Sequence, residues 1–210
     1  MSQSVEAMPY SDFFTQLGLF VAKDFFDAEL CARLRDESRS APRTAGTVLK
    51  AGSANHVTDE TIKRRSEAEP SAPTLAVVKE RLLALMPKIE RHFDIELAGC
   101  QTPRLVCYSE GDFYQPHIDI STLADAPQEV KERQVSIVIF LNDEDDEPGA
   151  DSYCGGGLTF YGLVDDPVWG AFGLPLIGER GLLIAFRPDV LHEVKPVTHG
   201  ARYTVTSWFF

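Results

Sequence analysis

From Arg104 to Phe210 the chain breaks into short apolar runs separated by Gly, Pro and Asp: Arg104-Leu105-Val106-Cys107-Tyr108, residues 113–120, Val135 to Leu141, Leu158-Thr159-Phe160-Tyr161, and residues 182–186, 191–197 and 203–210. Short β-branched and aromatic runs bounded by turn formers read as strands, and this many in succession indicate a β-sandwich or barrel. The first half reads differently. Leu75, Val78, Leu82, Leu85, Met86, Ile89 and Phe93 recur at steps of three and four, the stripe of an amphipathic helix that covers a sheet. Pro87 kinks that helix or marks its end. Asp27 can cap an earlier helix carrying Leu30, Cys31 and Leu34 through Arg35 or beyond, and residues 9–20 and 19–22 read as a short helix and a first strand. A chain of 210 residues is long enough for one domain with a substantial core. Within it, residues 1–99 form a supporting helical and strand region and residues 100–210 the β core.

The chemistry concentrates in that β core. In His117-Ile118-Asp119 an extended backbone turns the imidazole and the carboxylate to the same side. Such a triplet is frequent by chance, and a lone His or Asp beside a strand is ordinarily a solvated edge residue. The context adds weight. The chain has five histidines, and a second well-placed one, His192, follows the apolar run 182–186 and precedes Glu193-Val194-Lys195-Pro196. Two histidines and one carboxylate are the facial set that holds non-haem Fe(II) with coordination positions left open. Ten residues beyond His192, Arg202 begins an alternating strand that puts Arg202, Thr204, Thr206 and Trp208 on one face. Thr198-His199-Gly200 supplies turn chemistry, so a hairpin is expected to bring Arg202 beside His192.

Taken together, Tyr108-x-x-Gly111-x-x-Tyr114-x-x-His117-x-Asp119, Gly155-Gly156-Gly157-Leu158-Thr159-Phe160, His192-Glu193-Val194-Lys195-Pro196-Val197 and Arg202-Tyr203 resemble the Fe(II)/2-oxoglutarate-dependent dioxygenases, in their prolyl 4-hydroxylase-like branch. The resemblance covers the C-terminal half in register and the N-terminal half loosely. It implies a double-stranded β-helix, or jelly roll, mostly β with N-terminal helices packed on one sheet. It implies Fe(II) held by His117, Asp119 and His192, with 2-oxoglutarate and dioxygen as cosubstrates and ascorbate as a candidate reductant. Arg202 is expected to pair with the distal carboxylate of 2-oxoglutarate, and Tyr108 to hydrogen-bond the cosubstrate. Some relatives carry a tyrosine where this chain has Phe140, so Thr204 or Thr206 is expected to assist Arg202 instead. Arg65, in Arg64-Arg65-Ser66, resembles a segment bordering the active site, and Tyr114, Trp208 and Arg65 are the candidate substrate-facing residues. Related halogenases have a small residue in place of the carboxylate, so Asp119 points to hydroxylation. The implied substrate is a peptidyl proline or another peptide side chain, with a free amino acid or small metabolite as the alternative. A sensor that binds iron and 2-oxoglutarate without turnover, or a structural or sugar-binding jelly roll, are the competing readings.

Composition narrows the partners. A net charge of −12 opposes the phosphate contacts that drive nucleic-acid binding and disfavours anionic membranes. The one basic cluster, Lys63-Arg64-Arg65, reads as a solvated loop within a mixed segment, residues 41–71, that holds one or two short strands. No apolar run approaches the ~20 residues of a membrane helix. Residues 1–6 lack the basic start and apolar core of a signal peptide. Cys31, Cys100, Cys107 and Cys154 show no CxxC spacing, so a reducing, cytoplasmic location is expected. Three loops are candidate substrate elements: residues 121–134 beside the triplet, the acidic residues 142–152, which read as a solvated tip or an attractor of basic substrates, and residues 163–178, which carry Trp169 and Phe172.

Overall fold

The computed structural model describes residues 10–49, 56–147, 149–164 and 172–210. In chain order these form α1 (Tyr10–Gln16), β1 (Phe20–Ala22), α2 (Ala28–Ser40), β2 (Thr44–Ala45), β3 (Val48–Leu49), β4 (His56–Val57), β5 (Lys63–Arg64), β6 (Ser66–Ala68) and α3 (Ala72–Phe93). The second half adds β7 (Arg104–Tyr108), β8 (Phe113–His117), α4 (Gln128–Lys131), β9 (Val135–Phe140), β10 (Tyr153–Gly155), β11 (Leu158–Phe160), β12 (Leu174–Leu176), β13 (Leu183–Phe186), β14 (His192–Val194), β15 (Val197–Gly200) and β16 (Arg202–Phe209).

Two antiparallel sheets build the core. The larger runs β1-β13-β9-β16-β7-β6-β2 and the smaller β12-β11-β14-β8-β5, giving the expected jelly roll. Side-chain alternation in the larger sheet separates two apolar layers. Leu105 and Cys107 of β7, Ile137 and Ile139 of β9, and Tyr203, Val205 and Phe209 of β16 face α2 and α3, where they meet Leu30, Leu34, Val78, Leu82 and Ile89. The intervening Val106, Tyr108 and Phe140 face the smaller sheet and pack with Leu158, Phe160 and Val194. Helical packing on one face leaves the other face free to build a site.

Asp27 caps α2 as expected, its Oδ1 accepting from Leu30 N at 2.8 Å. α3 continues through Pro87 to Phe93 and ends where Asp94 takes a left-handed conformation, φ 52°. The helix packs on the larger sheet through Val78, Leu82, Leu85, Ile89 and Phe93 on both sides of that proline.

The structure corrects five local expectations. Residues 191–197 are two strands: β14 joins the smaller sheet, whereas β15 pairs with β10. No hairpin therefore links His192 to Arg202. β16 lies in the other sheet, between β7 and β9, and the two residues line the same cavity from opposite sheets. Lys63-Arg64-Arg65 is no solvated loop: Lys63 is 6% exposed, and the segment crosses from β5 in one sheet to β6 in the other. Five short strands occupy residues 41–71 where one or two were expected. Residues 163–178 contain β12; Phe172 is exposed, and Trp169 lies outside the described residues. Among the described residues no helix is long and apolar enough to cross a membrane.

Candidate active site

β8 and β14 place the two histidines directly opposite one another, with His117 and His192 as register partners. Asp119 follows just beyond β8, its amide held by Pro188 O at 2.7 Å. One ligand atom from each of His117, Asp119 and His192 lies within 4.8 Å of the others. His117 Nε2 is 3.7 Å from Asp119 Oδ1, and His192 Nε2 is 3.8 Å from Asp119 Oδ2. Each ring anchors its other nitrogen: Nδ1 of His117 meets Gln115 O and Nδ1 of His192 meets Val190 O, both at 2.9 Å. A carbonyl can only accept, so both Nδ1 atoms carry the proton and both Nε2 lone pairs face the centre. Burial and the neighbouring His192 pull His117 down to about 3, which keeps its ring neutral and available to a metal.

Asp119 is oriented from the larger sheet. Its Oδ2 accepts from Ser136 Oγ at 2.7 Å and from Trp208 Nε1 at 3.0 Å, and these two donors are register partners on β9 and β16. Burial alone would raise this carboxyl, but His192, His117 and the Ser136 bond outweigh it and hold it below the usual carboxylate range. Ser136 was not evident from sequence; a lone hydroxyl on the inward register of an otherwise apolar strand is the signal that marks it. Tyr114 stacks on His117, ring centres 3.4 Å apart.

All ten residues singled out from the sequence line one cavity of about 440 Å³: the triad, Tyr108, Tyr114, Arg65, Arg202, Thr204, Thr206 and Trp208. Loop 121–134 contributes Ser121, Leu123 and Arg133 to it. Arg202 is 1% exposed, its guanidinium 5.1 Å from the Tyr108 ring centre and 5.0 Å from that of Phe140. No carboxylate among the described residues pairs with it, and its Nε, Thr204 Oγ1 and Thr206 Oγ1 are buried without hydrogen-bond partners. Unsatisfied buried donors of this kind are costly in isolation, so the site is built for an anionic guest. The donor set suits a dicarboxylate in its chemistry, since three metal-ligand side chains and a guanidinium fork line the same cavity.

Tyr153 is a further residue that sequence reasoning missed. Its buried hydroxyl lies beside Arg202 without a well-formed hydrogen bond, and a Cβ placed on Gly178 would overlap both that hydroxyl and the Phe140 ring. A Cβ on Gly156 would lie 3.2 Å from Arg202 Cδ and 3.4 Å from Tyr153 Cε2. The tyrosine hydroxyl that Phe140 lacks thus reaches the same neighbourhood from β10. Burial raises the Tyr153 phenol, while the Arg202 charge opposes that rise.

The cavity wall nearest β5 is basic. Glu67 receives Arg65 at 2.7 Å, Arg104 at 3.2 Å and Lys63 at 3.3 Å. Lys63 Nζ also donates to Thr47 O at 2.8 Å, and Arg65 Nη1 donates to the Tyr108 hydroxyl at 3.0 Å. Burial, reinforced by Arg65, lowers Lys63 to about 7 against the opposing pull of Glu67. Trp208 does more than wall the pocket: besides holding Asp119, its ring lies 3.6 Å from the Arg133 guanidinium. In the acidic loop, Asp145, Asp146 and Glu147 are exposed, whereas Asp143 and Glu144 accept from the Arg180 and Gly178 amides.

Comparison with known proteins agrees with this geometry. A PKHD-type hydroxylase of Synechococcus sp. (strain JA-3-3Ab) is 29% identical over 130 residues, 59% of this chain and 51% of that protein. Another from Hyphomonas neptunium is 26% identical over 151 residues, covering 70% of this chain and 60% of the relative. The chain thus spans little more than half the length of these curated relatives. A prolyl hydroxylase from Trichoplax adhaerens, solved with a peptide fragment of the hypoxia inducible factor oxygen degradation domain, superposes with a TM-score of 0.70 at 18% identity, covering 98% of this chain and 94% of that one. A Pseudomonas putida prolyl-4-hydroxylase gives 0.63 at 23%, covering 95% of each chain. At these identities the structural likeness is one of fold. The family model of the 2OG-Fe(II) oxygenase superfamily matches residues 103–210, the half of the sequence that carries all three metal ligands and Arg202, and the chain belongs to that superfamily.

Proposed function

We propose that this protein is an Fe(II)- and 2-oxoglutarate-dependent hydroxylase acting on an unactivated C–H bond of a peptidyl proline or another peptide side chain. The observation that carries this reading is the convergence, in one cavity, of three metal-ligand side chains and a buried arginine, Arg202, whose Nε has no hydrogen-bond partner. His117, Asp119 and His192 would hold the iron, and Arg202 with Thr204 and Thr206 would take the distal carboxylate of 2-oxoglutarate. The bound metal and cosubstrate supply the oxidising chemistry, with dioxygen consumed and succinate and carbon dioxide released. The chain's own residues bind and orient. Nδ1 contacts fix both imidazoles, Ser136 and Trp208 fix the carboxylate, and the apolar inner layer shields the reacting atoms from water. A peptide substrate is supported by the cavity's opening between exposed Ile62, Ile118 and Leu123, and by the likeness in fold to a prolyl hydroxylase solved with a bound peptide. A small carboxylic acid is the second reading, favoured by the basic wall.

The test is anaerobic loading with Fe(II) and 2-oxoglutarate followed by oxygen, reading succinate and a mass gain of one oxygen over panels of peptides and amino acids. His117→Ala should abolish metal binding and turnover. Arg202→Ala should retain the metal and weaken 2-oxoglutarate binding by about a hundredfold or more, the scale set by losing one partner of a buried charge pair. Equal cosubstrate affinity in that variant would contradict the role given to Arg202. Binding of both without any succinate would instead indicate a sensor.

A further inference from the structure

We propose that the substrate carries a carboxylate, and that this group docks on the cationic wall formed by Lys63, Arg65, Arg104 and Arg133. The proposal rests on the hydroxylase reading and specifies the substrate class of the same cavity. Attraction of anions is no general property of this chain, which has 32 acidic against 20 basic residues. The cavity inverts that balance. Its lining includes Lys63, Arg65, Arg104, Arg133 and Arg202, against two carboxylates, Asp59 and Asp119. Arg202 is assigned to the cosubstrate and Asp119 to the metal. Of the rest, Lys63, Arg65 and Arg104 share one carboxylate, Glu67, behind the wall. Arg133 has no carboxylate within ion-pair distance among the described residues. It is held by Asp119 O at 2.9 Å, by Gln101 Oε1 at 3.3 Å and by the Trp208 ring.

Lys63, Arg65, Arg104 and Arg133 thus face Glu67 and Asp59, leaving between one and two positive charges in excess near neutral pH, with Lys63 lowered to about 7, on a partly desolvated surface. Such an excess is unfavourable without a counter-anion, and planar guanidinium forks match a carboxylate in shape as well as charge. The strain is visible at Lys63, whose ammonium is depressed although Glu67 lies 3.3 Å away. Ile62, Ile118 and Leu123, at 37%, 48% and 46% exposure, provide an apolar rim for the hydrocarbon that presents the C–H bond. A molecule with an apolar carbon frame and a carboxylate satisfies both surfaces. A free amino acid or other small acid supplies that chemistry, and so does an acidic residue beside the target in a peptide.

The experiment uses protein loaded with Mn(II) and 2-oxoglutarate and measures binding by calorimetry for matched acid and amide pairs. One arm compares free amino acids with their amides; the other compares peptides bearing Asp or Glu next to proline with their Asn or Gln counterparts. Acids should bind about tenfold or more tightly than their amides in at least one arm, which also identifies the source of the carboxylate. The preference should fall severalfold in Arg133→Gln and in the half-exposed Arg104→Gln. The result that overturns the proposal is a panel in which no acid binds better than its amide, or one in which the preference survives in both variants. Failure of the unsubstituted protein to bind Mn(II) and 2-oxoglutarate would instead strike the hydroxylase reading.

Discussion

Asp119 shows how a single ligand is held by neighbours that are not ligands. Ser136 and Trp208, opposite each other on adjacent strands, both donate to Oδ2, the oxygen nearer His192, while Oδ1 is directed toward His117. Ser136→Ala and Trp208→Phe should each weaken metal binding by about tenfold or more, the usual consequence of losing a partner that orients a ligand. Mn(II) titration reads this directly, and an unchanged affinity in both would remove the role. Tyr153→Phe makes a different kind of prediction. Its hydroxyl is buried beside Arg202 without a well-formed hydrogen bond, so deleting it should leave thermal stability unchanged or slightly raised in the absence of 2-oxoglutarate. If that hydroxyl serves the Arg202 pocket, 2-oxoglutarate affinity should nevertheless fall about tenfold, seen as a smaller cosubstrate-induced rise in melting temperature. His117, Asp119, His192 and Arg202 could be singled out in the sequence because the spacing of ligand-type residues is restrictive and the surrounding motifs resemble a known family, and the structure brings all four to one cavity. Ser136, Tyr153 and the Glu67-linked wall could not be, since each owes its meaning to a partner on another strand.

At the level of elements, β16 carries two assignments on alternate residues. Arg202, Thr204, Thr206 and Trp208 face the cavity, while Tyr203, Val205 and Phe209 join the layer under α2 and α3. That alternation could be read from the sequence, as could the stripe of α3. The pairing could not. Thr198-His199-Gly200 has turn-forming residues, yet it extends as β15 to pair with Tyr153–Gly155, and local propensity carries no information about that distant partner. Because α3 packs on the face away from the site, Ile89→Ala should lower unfolding free energy by about 2–5 kcal/mol in a urea titration. Its metal affinity under native conditions should stay unchanged. A loss of metal binding at full folding would show that the two layers are coupled.

Across the whole molecule, the two sheets are tied together at Glu67. It sits on β6 of the larger sheet and meets Lys63 of β5 in the smaller one, along with Arg65 and Arg104. Burial opposes its ionisation, but Arg65 and Lys63 prevail and bring it to about 2, from an ordinary value of 4.5. A depressed carboxyl contributes stability that is present above 4.5 and lost as the pH falls through about 2. That contribution is on the order of 3 kcal/mol. Glu67→Gln should therefore be less stable at neutral pH and show a flatter acid limb in pH-dependent unfolding; parallel curves would refute the linkage. The facing pair His117 and His192 has its own large-scale effect, since the β8–β14 ladder they belong to shifts register between His192 and Val194. An ion seated there cross-links two strands at the point where their backbone pairing is irregular. Chelation should then loosen that ladder first, so amide exchange along Phe113–His117 and His192–Val194 would report metal loading before any change in the helical layer.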